Sequence, residues 1–379
     1  MKQIKNKIKG IISSNLQNFR SWKTSRKILV IESDDWGSIR MPNKQVFQKA
    51  IDFGVPVDKC PFNTFDTLAS STDFEALFDV LQSYRGIDGK TPIITANTIV
   101  ANPDFRKIQD NHFEDYFFEP FQATLKRYYP NEDVFSCWKY GMDNNLFKPQ
   151  LHGREHLYVK YWMKFLRDRS KETMFSFENN FFGLSTTITK EKRSSFLPAF
   201  DLFDIKEIDE QKYILEDAQG LFYDSFGFKS ESFIAPNYTW NSTLEEHLKT
   251  IGVTTIQGSK FQHEPDHGHI IKAKRHFTGE KNFLNQVLLT RNVEFEPSLN
   301  KNIDWRKKVF RQIENAFFWG APAIISSHRL NFIGGLSERN RTDNLELLSG
   351  ILKEVLRKWP HVEFMTSDEL GREILKKQQ

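Results

Sequence analysis

"ILVIESDDWGS", residues 28–38, decides how the rest of the chain is read. Four consecutive aliphatic residues, Ile28 to Ile31, suit a strand buried on both faces, as in a parallel sheet covered by helices. The run then ends abruptly in Ser33, Asp34, Asp35, Trp36 and Gly37. Adjacent carboxylates at the tip of a buried strand repel each other and lose hydration, so a positive partner is required, and a metal ion is the first candidate.

Outward from that strand, further strands are predicted at 91–99, 147–151, 232–235, 253–257, 286–290, 322–327 and 362–365. Helical patterns near 43–53, 74–85, 153–168, 241–250, 303–318 and 343–358 separate them. Such alternation predicts a parallel sheet, and seven or eight βα units predict an α/β chain closed or nearly closed into a barrel. Catalytic groups of such folds gather at the carboxyl ends of the strands. Four predicted strand ends carry suitable residues: Asp34 and Asp35, then His152, then Pro236 and Asn237, then His328.

No linker divides the 379 residues, which are read as a basic segment, 1–27, followed by a single barrel domain, 28–375. A hydrophobic fraction of 39% with 35 Phe is that of a folded chain with an ample core. Cys60 and Cys137 form no C-x-x-C pair, which points to a reduced, cytoplasmic setting. The start "MKQIKNKIKGIISSNLQNF" lacks the apolar block of a signal peptide, so secretion is not expected. Residues 1–29 hold eight Lys or Arg and no acid; the net +4 of the chain less these eight leaves −4 for the remainder, which excludes a nucleic-acid-binding body. Ile4, Ile8, Ile11, Leu16 and Phe19 recur at near-helical spacing among those cations. That pattern reads as an amphipathic helix that either rests peripherally on anionic membrane or packs on its own barrel.

"LHGREHLYVKYWMKFL", residues 151–166, places His152 and His156 four apart at the entry to a predicted helix, where both imidazoles share one face. With Asp35 they make two neutral nitrogens and one carboxylate. This is the set of a catalytic site for a divalent metal, zinc first among them, with positions left open. The histidines of "QHEPDHGH", His263, His267 and His269, lie in a loop-like stretch with no regular element to orient them.

Taken together, these motifs resemble the NodB-like polysaccharide deacetylases, carbohydrate esterases that remove acetyl groups from sugars. Their T-F-D-D-G is similar to Ser33, Asp34 and Asp35, with Trp36 inserted before Gly37; their H-S/T-x-x-H to His152–His156, with Gly153 for the hydroxyl residue. "FIAPNYTW" meets R-x-P-aromatic in part, and "AIISSHRL" resembles the last motif, ending on His328. The resemblance implies a distorted (β/α)7-8 barrel with Asp35, His152 and His156 as metal ligands, Asp34 as general base and His328 as general acid. It also implies an acetylated carbohydrate as substrate. The 117 residues from Asp35 to His152 exceed the family's spacing, so insertions are expected near 45–90 and 104–146, between the first and third strands. Ile234 stands where the family has an arginine beside the base; Arg291 in "TRNVEFEP" or Arg329 is expected to fill that space. Trp36, Tyr238 and Trp240, next to motif residues, are candidates to stack on a pyranose ring.

Two other readings use the same residues. "HGREH" satisfies H-x-x-E-H, the inverted zinc-peptidase pattern, with Glu155 as base and Glu231 as a third ligand. The missing arginine would also suit a catalytically silent sugar-binding barrel.

Overall fold

The chain, as a computed structural model, is described for residues 2–184, 196–266 and 271–376. Its strands are β1 (Lys27–Trp36), β2 (Ile94–Ile99), β3 (Ala101–Pro103), β4 (Phe118–Pro120), β5 (Phe147–Gly153), β6 (Ser232–Ile234), β7 (Thr255–Gly258), β8 (Phe261–Pro265), β9 (Ile271–Arg275), β10 (Val287–Thr290), β11 (Val293–Glu294), β12 (Ala323–His328) and β13 (Val362–Met365). Nine of them form one sheet in the order β10-β7-β6-β5-β2-β1-β12-β11, with β13 pairing the start of β1. Every pairing in it is parallel. β3–β4 and β8–β9 are small antiparallel hairpins.

The sheet curls until its two edges meet. Only Arg291 and Asn292 separate edge strand β10 from edge strand β11. The Arg291 N–H donates to the Gly258 carbonyl on one side (3.0 Å) and the Asn292 N–H to the Ile324 carbonyl on the other (3.2 Å). The Ile324 N–H returns a bond to the Asn292 side chain (2.8 Å). The result is a distorted parallel barrel closed at a seam by two residues.

Side-chain alternation on β1 then sorts the interior from the outer layer. Leu29 and Ile31 belong to the large core shared with the surrounding helices. Ile28 and Val30 point the other way, into a smaller cluster with Val287, Leu289, Ile324 and Met365 that Leu370 and Ile374 of the helix Ser367–Lys376 complete. That apolar plug fills the amino end of the barrel. Continuing the same row, Glu32 and Asp34 carry polar groups toward the carboxyl end.

Helices Lys44–Phe53, Pro61–Phe65 and Ser71–Gln82 lie between β1 and β2; Phe105–Asp110, Phe121–Tyr128 and Val134–Asp143 lie between β2 and β5. Both segments contribute to the one large core, through Phe74, Phe78, Phe121 and Trp138 among others. The predicted helix over 153–168 begins only at Val159. His152 is therefore on a strand and His156 in the following bend, which corrects the shared helix face expected for them. The long helix Glu207–Phe226, both hairpins and β11 have no counterpart among the predicted elements.

Candidate active site

Asp35 leaves β1 with a φ of +72°, a left-handed conformation uncommon for a non-glycine residue and typical of places where function over-determines the backbone. The turn is completed at Gly37 (φ +85°), where a Cβ would stand 2.2 Å from the Ile99 carbonyl oxygen; only glycine fits. On β5, Gly153 (φ +118°) bends the chain immediately after His152, so that His156 returns beside it. Convergence of the pair thus comes from a strand end and a glycine turn. Asn237 and Tyr238 after β6 also have positive φ, 54° and 56°.

The Nε2 atoms of His152 and His156 lie 3.5 and 3.2 Å from Asp35 Oδ1. Among the described residues these three are the one His/Cys/Asp/Glu group whose ligand atoms lie within 4.8 Å of one another, and all three are buried. Asp35 Oδ1 and His152 Nε2 have no hydrogen-bond partner. Orphaned acceptors in a buried place demand a ligand. His152 Nδ1–H donates to the Ile234 carbonyl (2.8 Å), which leaves the Nε2 lone pair facing Asp35, as a metal-binding imidazole requires. Burial pulls the His156 pKa down, with Asp35 opposing, so this ring favours the neutral form. Burial would raise the Asp35 pKa, but His156, His152 and Arg40 together hold it well below the usual carboxylate range. The residues present fit a divalent cation with nitrogen and oxygen ligands.

Asp34, one residue earlier, faces the barrel interior. Arg291 grips it through both oxygens: Nη2 donates to Oδ1 (2.5 Å) and Nη1 to Oδ2 (2.6 Å). Asn97 Nδ2 adds a bond to Oδ1 (2.7 Å). Burial alone would push this carboxyl up; the adjacent guanidinium more than offsets it and keeps Asp34 ionised. Arg291 Nε meanwhile donates to Glu32 Oε2 (2.5 Å), whose other oxygen accepts from Ser367 Oγ (2.7 Å). Arg329 does not take this place. It is fully buried against Asp66 (3.0 and 3.1 Å), which also lies 3.8 Å from Arg40. Arg40 in turn reaches Asp35 Oδ2 at 3.4 Å.

His328 ends β12 with Nε2 3.8 Å from Asp34 Oδ2. Its Nδ1–H donates to Glu296 Oε1 (2.6 Å), while Asn331 Nδ2 holds the other Glu296 oxygen (2.8 Å). Burial disfavours the imidazolium, but Glu296, with Asp35 and Asp34, overcomes it and the pKa is pushed up to about 9. A cavity of about 540 Å³ opens above these groups, lined on its sides by Phe62, Leu197, Asn237, Tyr238 and Leu299. His263 of the histidine-rich stretch also lines it; His267 and His269 lie outside the described residues.

Two expected sugar platforms are corrected. Trp36 is 1% exposed, packs among Phe74, Trp138 and Phe147, and donates to Ser33 Oγ (2.9 Å). Trp240 is buried with its Nε1 on Glu245 Oε1 (3.2 Å). Both follow motif residues but point into the core, because period-two and turn geometry send neighbours to opposite sides. Pro236 is buried and starts the 3₁₀ turn Pro236–Tyr238; of that stretch Asn237 and Tyr238 reach the cavity. Trp36→Ala is accordingly expected to cost about 3–5 kcal/mol of stability, read by denaturant unfolding, with KM unchanged in whatever fraction remains folded.

The peptidase pattern does not assemble. Glu155 is turned from the histidines to Arg154 Nε (2.7 Å), and Glu231 pairs with Arg372. Glu32, Arg40, Asn97 and Glu296 are site residues that sequence reasoning missed. Glu32 had a signal, standing two before Asp34 on the same strand face; Asn97 lies two residues before the end of a predicted strand, and Glu296 follows Arg291 in the quoted "TRNVEFEP".

No family model matches the chain, and no curated protein matches it. Solved structures similar to it include a protein of Parabacteroides distasonis assigned as a glycoside hydrolase/deacetylase, at 10% identity and a TM-score of 0.48 over 95% of this chain and 73% of that one. The peptidoglycan deacetylase PdaC of Bacillus subtilis follows at 12% identity and 0.36, over 93% of each chain. The 4-alpha-glucanotransferase of Thermococcus litoralis is similar at 10% identity and 0.44 over 92% of this chain, which spans only 38% of that protein's length. Likeness at this level is one of chain outline, and function must be argued from the side chains. In outline the chain is similar to solved polysaccharide and peptidoglycan deacetylases, the class that its sequence motifs resemble.

Proposed function

We propose that the protein is a metal-dependent hydrolase that removes an acetyl group from an N-acetylated or O-acetylated sugar or polysaccharide precursor. One observation carries the reading: the orphaned Asp35–His152–His156 set shares a cavity with an ionised carboxylate, Asp34, and a cationic imidazole, His328, 3.8 Å apart. Asp35, His152 and His156 would hold the ion, and two imidazoles with one carboxylate suit zinc. A divalent ion there supplies Lewis acidity, polarising an acyl carbonyl and acidifying water.

The chain's own groups then divide the proton work. Asp34, kept ionised by Arg291, accepts a proton from the attacking water. His328, kept protonated by Glu296, gives one to the departing sugar nitrogen or oxygen. Arg291 supplies from the barrel seam the cation expected at position 234, which supports the catalytic reading over the silent one. Asn237 and Tyr238 on the cavity wall are the proposed sugar contacts.

The test is acetate release from a panel of N- and O-acetylated sugars by protein stripped with a chelator and reloaded with zinc. Release from at least one, lost on stripping and restored by zinc, is expected; metal uptake with no release from any sugar overturns the reading. Because His328 must be protonated to act as acid, activity is expected to fall as pH rises through about 9. Glu296→Gln removes its strongest supporting charge, so the alkaline limb of the pH–rate profile should move to lower pH.

A further inference from the structure

The helix Lys2–Arg20 is turned the opposite way from an ordinary surface helix. Its barrel-facing side is polar. Asn18 is buried and bonded to Asn315 and Asn292, Gln17 Nε2 donates to the His276 carbonyl (2.8 Å), and Asn15 Oδ1 accepts from Asn315 Nδ2 (2.9 Å) and Trp319 Nε1 (2.8 Å). Ile12, Leu16 and Phe19, spaced i, i+4, i+7, face outward at 61%, 39% and 59% exposure. Packing on the barrel therefore leaves the apolar stripe uncovered.

The uncovered surface extends beyond this helix. The Phe19 ring meets Trp319 edge-on at 5.3 Å, and Trp319 meets Phe318, which is 79% exposed. Alongside, exposed Lys307 and Arg311 stand one turn apart on the helix Trp305–Phe318, and with Lys308 they line a cleft of about 590 Å³ against Gly10, Ser14 and Asn15. In the sequence, Ile8 and Ile4 continue the four-residue row back from Ile12 among Lys2, Lys5, Lys7 and Lys9, and no acid precedes Glu32. A contiguous apolar patch of this kind marks an interaction surface.

We propose that this face docks on an anionic bilayer, with Ile12, Leu16, Phe19 and Phe318 entering the headgroup–acyl boundary and Lys307 and Arg311 over lipid phosphates. Charge selects lipid over a second copy of the chain, since two copies would set cations against cations. The docked helix also walls a cleft of about 310 Å³ whose far side includes Tyr238, Arg291 and Ser326. Tyr238 also lines the catalytic cavity.

Vesicle sedimentation of the full chain tests the proposal. Vesicles of phosphatidylcholine with phosphatidylglycerol should carry the protein down, and vesicles of phosphatidylcholine alone should not, with binding weakened by salt. The double variant Leu16→Glu/Phe19→Glu should lower anionic-vesicle affinity on the order of a hundredfold, since two apolar side chains leave the lipid, and Lys307→Glu/Arg311→Glu should weaken it as well. Circular dichroism and zinc content should match the parent. Phe318→Glu, on the other helix, must also weaken binding, so the proposal stays open to refutation if the first variant misfolds. Binding unaffected by these changes, no sedimentation of the parent, or a solution dimer that Phe19→Glu dissociates would each overturn it.

Discussion

Asp34→Asn should keep its zinc and lose on the order of 10²- to 10⁴-fold in turnover, the usual contribution of a general base. Asp35→Asn, His152→Ala and His156→Ala should lose both metal and activity. The contrast follows from geometry. Asp35 Oδ1 is the oxygen that meets both imidazoles, whereas Asp34 is oriented by Arg291 and Asn97, with Oδ2 accepting from Arg291 alone and keeping a lone pair for a proton. Neighbours in sequence thus have separate partners and separate duties. Glu155→Gln is the control: its carboxylate serves Arg154, so turnover should stay near that of the parent. Elemental analysis beside acetate-release kinetics reads all of these. If Glu155→Gln abolishes activity while Asp34→Asn and Asp35→Asn retain metal and rate, the assignment is wrong.

Arg291→Met should be the most destabilising change in the site, costing about 3–5 kcal/mol, because it leaves buried carboxylates without their cation. Glu32 and Asp34 are both buried and both bonded to this guanidinium. The pH dependence should change sign. In the parent, the folded pKa of Asp34 lies below its unfolded value, so the pair's contribution is full above about pH 4 and is lost only as pH falls through the depressed value. Without the arginine, burial dominates and the folded pKa rises above the unfolded one. The variant should then regain stability relative to the parent as pH falls from neutrality and a proton neutralises the buried carboxylate. Urea unfolding of metal-free protein at several pH values measures this; a pH-independent difference between the two proteins refutes the account.

Much of this was legible in the chain itself. An apolar run as short as Ile28–Ile31, ended by turn residues, suits a strand covered on both faces, and each of the eight predicted strands has a counterpart in the parallel sheet. Local sequence also marked the polar strand ends, since βα geometry ties chemistry to those positions. Side-chain direction was harder. Trp36 and Trp240 stand beside motif residues yet face the core, and His152 and His156 converge through the backbone of Gly153 rather than along a helix.

What only the tertiary structure decided is who stands opposite whom. Asn97 and Glu296 entered the site because closure of the sheet brings separate strand ends within hydrogen-bond reach, and no local pattern records that distance. The choice between Arg291 and Arg329 shows the same limit. Both are strand-end arginines, but the two-residue seam swings Arg291 across to β1, while Arg329 is buried against Asp66. The amino-terminal helix is the sharpest case. Its amphipathic period is plain in the sequence, but which face meets the barrel depended on whether Asn15, Gln17 and Asn18 found partners there, and those partners lie some 260 to 300 residues away in the chain.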